Sequence, residues 1–304
     1  MMTGCGGANT VNTNNTENIA SSTEQTEYIN PMPSSYFKSA SNKGSVVIEN
    51  YKSYDYTFDN PEEITKTAYV YLLYGYDPED SSKRYDVFYL MHGWTMTAGD
   101  FFNDNGLVSM LDNMIQNGDI PPVIVVCATF DAENKSQSFS RSTEELSIFH
   151  KDFRENLVPF IDNKYNTYSD REHRIFGGFS LGAVTTWYKF IYCLDLVKYF
   201  LPMSGDCWII GTYGGRYYPQ ETTEYLEKVV ANGNWKEDDF VIYEGIGTSD
   251  PIWEQTNNQI QAMMKTKTFT PKNLHYAIIQ DGRHDLIACE KYIYHGLKYF
   301  LRGE

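Results

Sequence analysis

Arg174-Ile-Phe-Gly-Gly-Phe-Ser-Leu-Gly-Ala183 decides the reading of this chain. Within it, Gly178-Phe179-Ser180-Leu181-Gly182 fits the G-x-S-x-G pattern of a nucleophile elbow. The apolar run Ile175-Phe176 before it reads as a buried strand. The residues from Ala183 to Phe190 after it read as a helix. A serine on so sharp a strand-to-helix turn projects its hydroxyl out of the fold. The tight turn demands small flanking residues, which Gly178 and Gly182 supply. The helix start behind Ser180 also offers backbone N–H groups and a positive dipole end to a developing oxyanion.

Working outward, the surrounding chain alternates strand and helix. Tyr85–Met91 is an apolar run typical of a strand buried on both faces, and it ends in His92-Gly93-Trp94. A helix with a helical apolar period follows from Gly106 to Ile115, then a buried strand from Pro121 to Thr129. Ser142-Thr-Glu-Glu145 reads as a capping box opening a long helix, which Pro159 should kink near its end. Beyond the elbow come strands Tyr199–Met203, Asp239–Glu244 and Leu274–Ile279. They lead into Ser204-Gly-Asp206, Gly247-Thr-Ser-Asp250 and Asp281-Gly-Arg-His284, and a last helix carries Ile287 to Leu301. Upstream, Ser45–Tyr51, Tyr54–Phe58 and Lys66–Tyr74 predict three antiparallel edge strands. The fold expected is α/β: a doubly wound, mainly parallel sheet with antiparallel N-terminal strands.

In such sheets ligands bind at the carboxyl ends of the strands. His92-Gly93, Ser180, Asp250 and His284 all fall there, in the chain order Ser, Asp, His of the α/β-hydrolase fold. Ser180 needs a base to take its proton, and His284 is the candidate. The imidazolium so formed needs a buried carboxylate on its other nitrogen, and Asp250 can supply it. The oxyanion needs two fixed N–H donors, expected from the backbones of Leu181 and Trp94. Asp206 also follows a strand and is the rival acid, whereas Asp285 adjoins the histidine and should point elsewhere. His92 is expected to hold its own loop by hydrogen bonding. His150 and His173 precede the elbow, His275 lies in a strand and His295 in the last helix, all out of place for a base.

Composition narrows the partners. Acidic residues outnumber basic ones, 40 to 25, for a net charge of −15. That excludes nucleic acid and an anionic membrane surface as natural partners. The aromatic content of 15% can line clefts as well as fill a core. Five scattered cysteines form no C-x-x-C, so neither a zinc site nor a disulfide framework is expected, and no metal or cofactor is implied. No apolar run is long enough to span a bilayer. Residues 1–40 are rich in Asn, Thr, Ser and Gly and read as a disordered tether before a catalytic domain of residues 41–304. Met2-Thr-Gly-Cys5 looks like the end of a lipoprotein signal. A lipid anchor at Cys5 and an extracellular or cell-surface location are therefore expected.

From about Asn30 to its end the sequence resembles the feruloyl esterases of carbohydrate esterase family 1. The likeness rests on Phe88–Gly93, Thr129-Phe130, Glu155–Phe160, Phe176–Ser180, Thr185–Tyr188, Ser204-Gly-Asp206 with Trp208, Gly247–Asp250 and Tyr292–Tyr294. It implies a serine esterase that cleaves feruloyl or related hydroxycinnamoyl esters of arabinoxylan or its oligosaccharides through an acyl-enzyme. The family's triad falls on Ser180, Asp250 and His284, and its oxyanion donors on Leu181 and Trp94. Trp208, with Phe130, is expected at the substrate ring. The sequence departs from the family where Trp94-Thr-Met replaces a glycine-rich loop and where Tyr168–Arg174 is short. An acetyl xylan esterase, an S-formylglutathione hydrolase, and a carbohydrate-binding protein with a vestigial site are the competing readings.

Overall fold

The computed structural model describes Met1 and residues 25–103 and 106–303. The described residues form one nine-stranded sheet in the order β1-β9-β8-β7-β6-β4-β5-β3-β2. The strands are β1 (Thr26–Tyr28), β2 (Ser45–Asp55), β3 (Glu62–Leu72), β4 (Asp86–Met91), β5 (Val123–Ala128), β6 (Arg174–Phe179), β7 (Tyr199–Met203), β8 (Val241–Gly247) and β9 (Leu274–Ile279). Only the β2–β3 and β3–β5 pairs are antiparallel. The central strands β4, β5 and β6 are buried along their length apart from Asp86. That is why they read as unbroken apolar runs. Helices pack against the sheet, Leu181–Tyr192 on β4, β6 and β7 and Leu286–Arg302 on β7 and β8. The chain steps from β4 outward to β5, then returns to place β6 on the other side of β4. The reversal opens a crevice at the carboxyl ends of β4 and β6, where His92-Gly93 and Ser180 emerge.

Several local readings change. Two of the three expected edge strands are one long strand, β2, paired along its whole length with β3. The tether expected to reach residue 40 gives way to the fold at about residue 25. There Thr26–Tyr28 pairs in parallel with Tyr276–Ile278, and Ile29, Met32, Tyr36 and Ala40 are buried. Those apolar residues are too widely spaced to show a period, and their partners are distant in sequence: the edge of β9 for Ile29, and Asp119, Asn117 and the ring of Tyr294 for Tyr36. Cys5 and the rest of the expected tether lie outside the described residues.

The helix expected to open at the capping box of Ser142 starts earlier, at Phe139, with the Ser138 hydroxyl accepting the N–H of Arg141. Ser142 and Glu145 instead turn inward, to Asp131 and to the Ala132 N–H. The kink sought at Pro159 is a π-helical turn, Phe153–Leu157, in the turn before it. A proline has no N–H to give and crowds the preceding turn, so an inserted residue relieves both. The four described cysteines are buried and unpaired.

Candidate active site

Ser180 sits between β6 and the helix Leu181–Tyr192 with φ 59° and ψ −117°, a conformation L-residues rarely take. The strain is held by the framework: its N–H donates to Met203 O (2.9 Å) and its carbonyl accepts the N–H groups of Ala183 and Val184. Glycine is obligatory around it. A Cβ on Gly182 would stand 2.2 Å from Met91 O, and one on Gly178 would stand 2.5 Å from the Gly182 carbonyl.

The loops after β8 and β9 bring the other two groups to the serine. Strands β8 and β9 run in parallel register, with Gly247 opposite Ile279. Beyond them, the Thr248 N–H bonds to Ile279 O, the Ser249 N–H to Gly282 O and the Asp281 N–H to Thr248 Oγ1. So tied, Asp250 and His284 meet. His284 Nδ1 lies 2.9 Å from Asp250 Oδ2 and 3.1 Å from Oδ1, and its Nε2 lies 3.0 Å from Ser180 Oγ. The Asp250 side chain is fully buried, and its Oδ1 also accepts the Ile252 N–H (2.9 Å). An ionised carboxylate can only accept, so Nδ1 must carry the proton and Nε2 must present its lone pair to the Ser180 hydroxyl. The ring of Phe179 packs on His284 at 4.6 Å.

The remaining histidines and the neighbouring acids have other work. Asp285 caps the last helix by accepting the Ala288 N–H. His275 bonds to the Tyr299 hydroxyl, His295 to Asn30 O, and His173 to Asp170. His150 stacks on Tyr192. Asp206, the rival acid, is buried and engages Trp208 Nε1 and the Gly215 N–H rather than His284. Burial pushes its carboxyl up to about 6.

His92 is buried in the loop after β4. Its Nδ1–H donates to Gly93 O (2.8 Å), and its Nε2 accepts from Thr129 Oγ1 (2.7 Å). Burial lowers its pKa to about 4, so the ring is neutral. Gly93 O also accepts the Met96 N–H. With that carbonyl fixed, the trans peptide aims the Trp94 N–H the opposite way. Gly93 lies against the serine: a Cβ on it would stand 3.2 Å from Ser180 Cβ. Leu181 is the first residue of the helix behind Ser180, and its N–H has no acceptor within that helix.

A cavity of about 110 Å³ opens at Ser180 and Leu181. Its walls are Trp94, Phe139, Trp208 and Tyr213, with Val184 and Ile252 between them. The rings form a chain: Trp94 to Phe139 at 5.2 Å, Phe139 to Trp208 at 6.1 Å and Trp208 to Tyr213 at 5.1 Å. Trp94 Nε1 further anchors to Gln137 O. A slot so walled takes a flat, apolar acyl group.

Phe130, expected beside Trp208 at the substrate, does not belong to this wall. It is buried against the His92 ring at 4.6 Å and borders a separate small cavity with Tyr54, Lys66 and Phe149. Phe139 and Tyr213 stand at the cavity instead. Neither was marked in the sequence. Phe139 follows the N-cap Ser138 in a polar stretch, and Tyr213 is one of many tyrosines. Among the described residues no group of three or more His, Cys, Asp or Glu could hold a metal ion, and no helix is long and apolar enough to cross a membrane.

Comparison with known proteins bears on the family and the fold. The Esterase family model matches residues 63–294. Endo-1,4-beta-xylanase Y of Acetivibrio thermocellus is 33% identical over 287 residues, covering 89% of this chain and 24% of that protein. An endo-1,4-beta-xylanase/feruloyl esterase of Xylanibacter ruminicola is 34% identical over 161 residues, covering 51% of this chain and 20% of that protein. The chain thus spans about a quarter or less of the length of these curated relatives. The solved feruloyl esterase module from Clostridium thermocellum, complexed with sinapinate, is 31% identical. It superposes with a TM-score of 0.78 over 91% of this chain and 95% of that one. The chain belongs to the esterase family, with the α/β-hydrolase fold of the feruloyl esterase module it superposes on.

Proposed function

We propose that this protein is a serine esterase that cleaves feruloyl and related hydroxycinnamoyl esters of arabinoxylan. The observation that carries the reading is the Ser180–His284–Asp250 chain opening directly into an aromatic-walled slot. Ser180 Oγ attacks the ester carbonyl while His284 Nε2 takes its proton. Asp250 stabilises the resulting imidazolium. The N–H groups of Leu181 and Trp94 receive the oxyanion. Collapse of the tetrahedral intermediate breaks the bond to the sugar oxygen, which leaves with the proton from His284. Water then attacks the feruloyl-Ser180 ester, giving its proton to His284, and ferulate departs as Ser180 recovers its proton. The residues need no metal or cofactor for this sequence.

Trp208, lying between Phe139 and Tyr213, serves as the face against which the feruloyl ring lies. The hydrogen-bonded triad argues against a vestigial site that only binds carbohydrate. The ring-lined slot argues against acetyl or formylglutathione esters, which would leave most of it empty. The polymeric substrate, and the Cys5 reading, favour action outside the cell or on its surface, with a lipid anchor tested by palmitate labelling of wild type and Cys5→Ala. The test of the substrate is direct. Ferulate should be released from feruloylated arabinoxylan oligosaccharides much faster than acetate from acetylated xylan. The reverse order would make the protein an acetyl xylan esterase.

A further inference from the structure

Asp206 is buried, lines the same cavity beside Trp208 and Tyr213, and takes no part in the triad, whose histidine is already held by Asp250. Its two carboxylate oxygens are divided. Oδ1 accepts the indole N–H of Trp208 (2.8 Å), and Oδ2 accepts the backbone N–H of Gly215 (2.7 Å). These contacts close the two ends of the segment 208–215. The Cys207 N–H, donated to Gln259 Oε1 at 2.7 Å, pins the same segment at its root. Between the two ends stands Tyr213 in the left-handed region, φ 57° and ψ 43°, its ring edge-on to Trp208 at 70°. A tyrosine keeps that backbone only when its surroundings over-determine it. Both rings line the cavity at Ser180.

We propose that Asp206 is the positioning residue for acyl specificity: one buried carboxylate fixes both ends of segment 208–215 and thereby the orientation of the Trp208–Tyr213 wall. The inference rests on the feruloyl-ester reading and deepens it. Hydrogen bonds to a charged acceptor are stronger and more directional than neutral ones. They hold the indole in place before substrate arrives, so an aromatic acyl group loses less to ordering on binding. An acetyl group is too short to use the wall. Loss of the clamp should therefore be felt by one ester class and not the other.

The experiment uses 4-nitrophenyl ferulate and 4-nitrophenyl acetate, which share a leaving group and differ only in the acyl group. Asp206→Asn puts an N–H₂ against either the Trp208 or the Gly215 N–H, so one clamp contact is lost. The feruloyl kcat/KM should fall about tenfold, and the acetyl value should change by no more than about twofold. Trp208→Phe keeps a ring but has no N–H to hold, so it should shift the ratio the same way. In that background Asp206→Asn should cost far less than alone, because both changes break one contact. Equal loss on both esters at an unchanged Tm would put Asp206 at the reacting atoms and overturn the inference. Additive losses would also overturn it. If Asp206→Asn fails to fold, Trp208→Phe decides alone, and an unaltered feruloyl-to-acetyl ratio refutes the clamp. A wild-type enzyme with no feruloyl preference would overturn the substrate reading and this inference together. A wild-type preference that both variants keep would overturn this inference only.

Discussion

Asp250→Asn is the substitution that separates the proposed triad from its nearest competitor. In the native structure Oδ1 is claimed by the Ile252 N–H at 2.9 Å, while Oδ2 takes the His284 Nδ1–H at 2.9 Å. An asparagine has one acceptor oxygen, and the fixed Ile252 N–H will keep it. The side-chain N–H₂ then faces His284 Nδ1, which must become an acceptor. The imidazole proton moves to Nε2, where it points at the Ser180 hydroxyl 3.0 Å away instead of receiving its proton. The base is thus disabled with its geometry intact. The imidazolium formed during attack also loses its buried counter-charge. Wrong tautomer plus lost charge in a triad of this kind costs on the order of 10⁴ in kcat, or about 5.5 kcal/mol. KM should move little, since Asp250 is buried behind His284 and does not line the acyl cavity. Steady-state kinetics on methyl ferulate, with a thermal melt to show an intact fold, make the assay. A kcat loss under about tenfold, or a smaller loss than for Asp206→Asn on the same ester, would refute the assignment of the acid.

Other outcomes follow from the same structure. Trp208→Ala should lower kcat/KM for methyl ferulate at least about tenfold, from a ring contact worth roughly 0.5–1.5 kcal/mol plus buried area at about 25 cal/mol per Å². An acetyl ester should lose far less, and equal losses at an unchanged melting point would remove the aromatic wall from the account. Activity should survive exhaustive dialysis against EDTA, because the proposed chemistry uses only side chains and backbone N–H groups; loss restored by a divalent cation would contradict it. His92 titrates near 6.5 when unfolded but at about 4 in the fold, where burial disfavours the charged ring. The unfolded chain therefore binds the extra proton first, so stability from this residue is complete above about pH 6.5 and is lost as pH falls through about 4. The shift corresponds to about 3 kcal/mol. Urea unfolding of wild type and His92→Asn should converge by about that amount between pH 7 and pH 4, and parallel stability curves would refute it.

Much of this site was legible in the sequence because it is local. A serine between glycines, after an apolar run and before a helix, can adopt few other conformations. Polar residues that interrupt apolar strands must emerge at strand ends, which is how Asp250 and His284 were found. The cavity walls were less legible. Phe139 and Tyr213 come from segments whose positions depend on tertiary contacts, the Ser138 cap and the Asp206 clamp. Phe130 follows a strand end as Ser180, Asp250 and His284 do, yet its ring turns inward to His92, and no local pattern tells the two directions apart. Strand β1 was missed because Thr26–Tyr28 carries no alternating pattern and exists only as an addition to the β9 edge. The capping box at Ser142 failed because Asp131 and Ala132, distant from the helix start in the sequence pattern, competed for the same side chains.

The most direct test of the central claim is to catch the covalent intermediate. Wild-type protein mixed with excess 4-nitrophenyl ferulate should be acid-quenched within the first turnovers, digested and mapped by mass spectrometry. The account predicts a feruloyl group on the peptide carrying Ser180, absent in Ser180→Ala, whose kcat on methyl ferulate should fall by several orders of magnitude. A Ser180→Ala protein that turns over methyl ferulate at the wild-type rate, or an acyl group found on another residue, would contradict it.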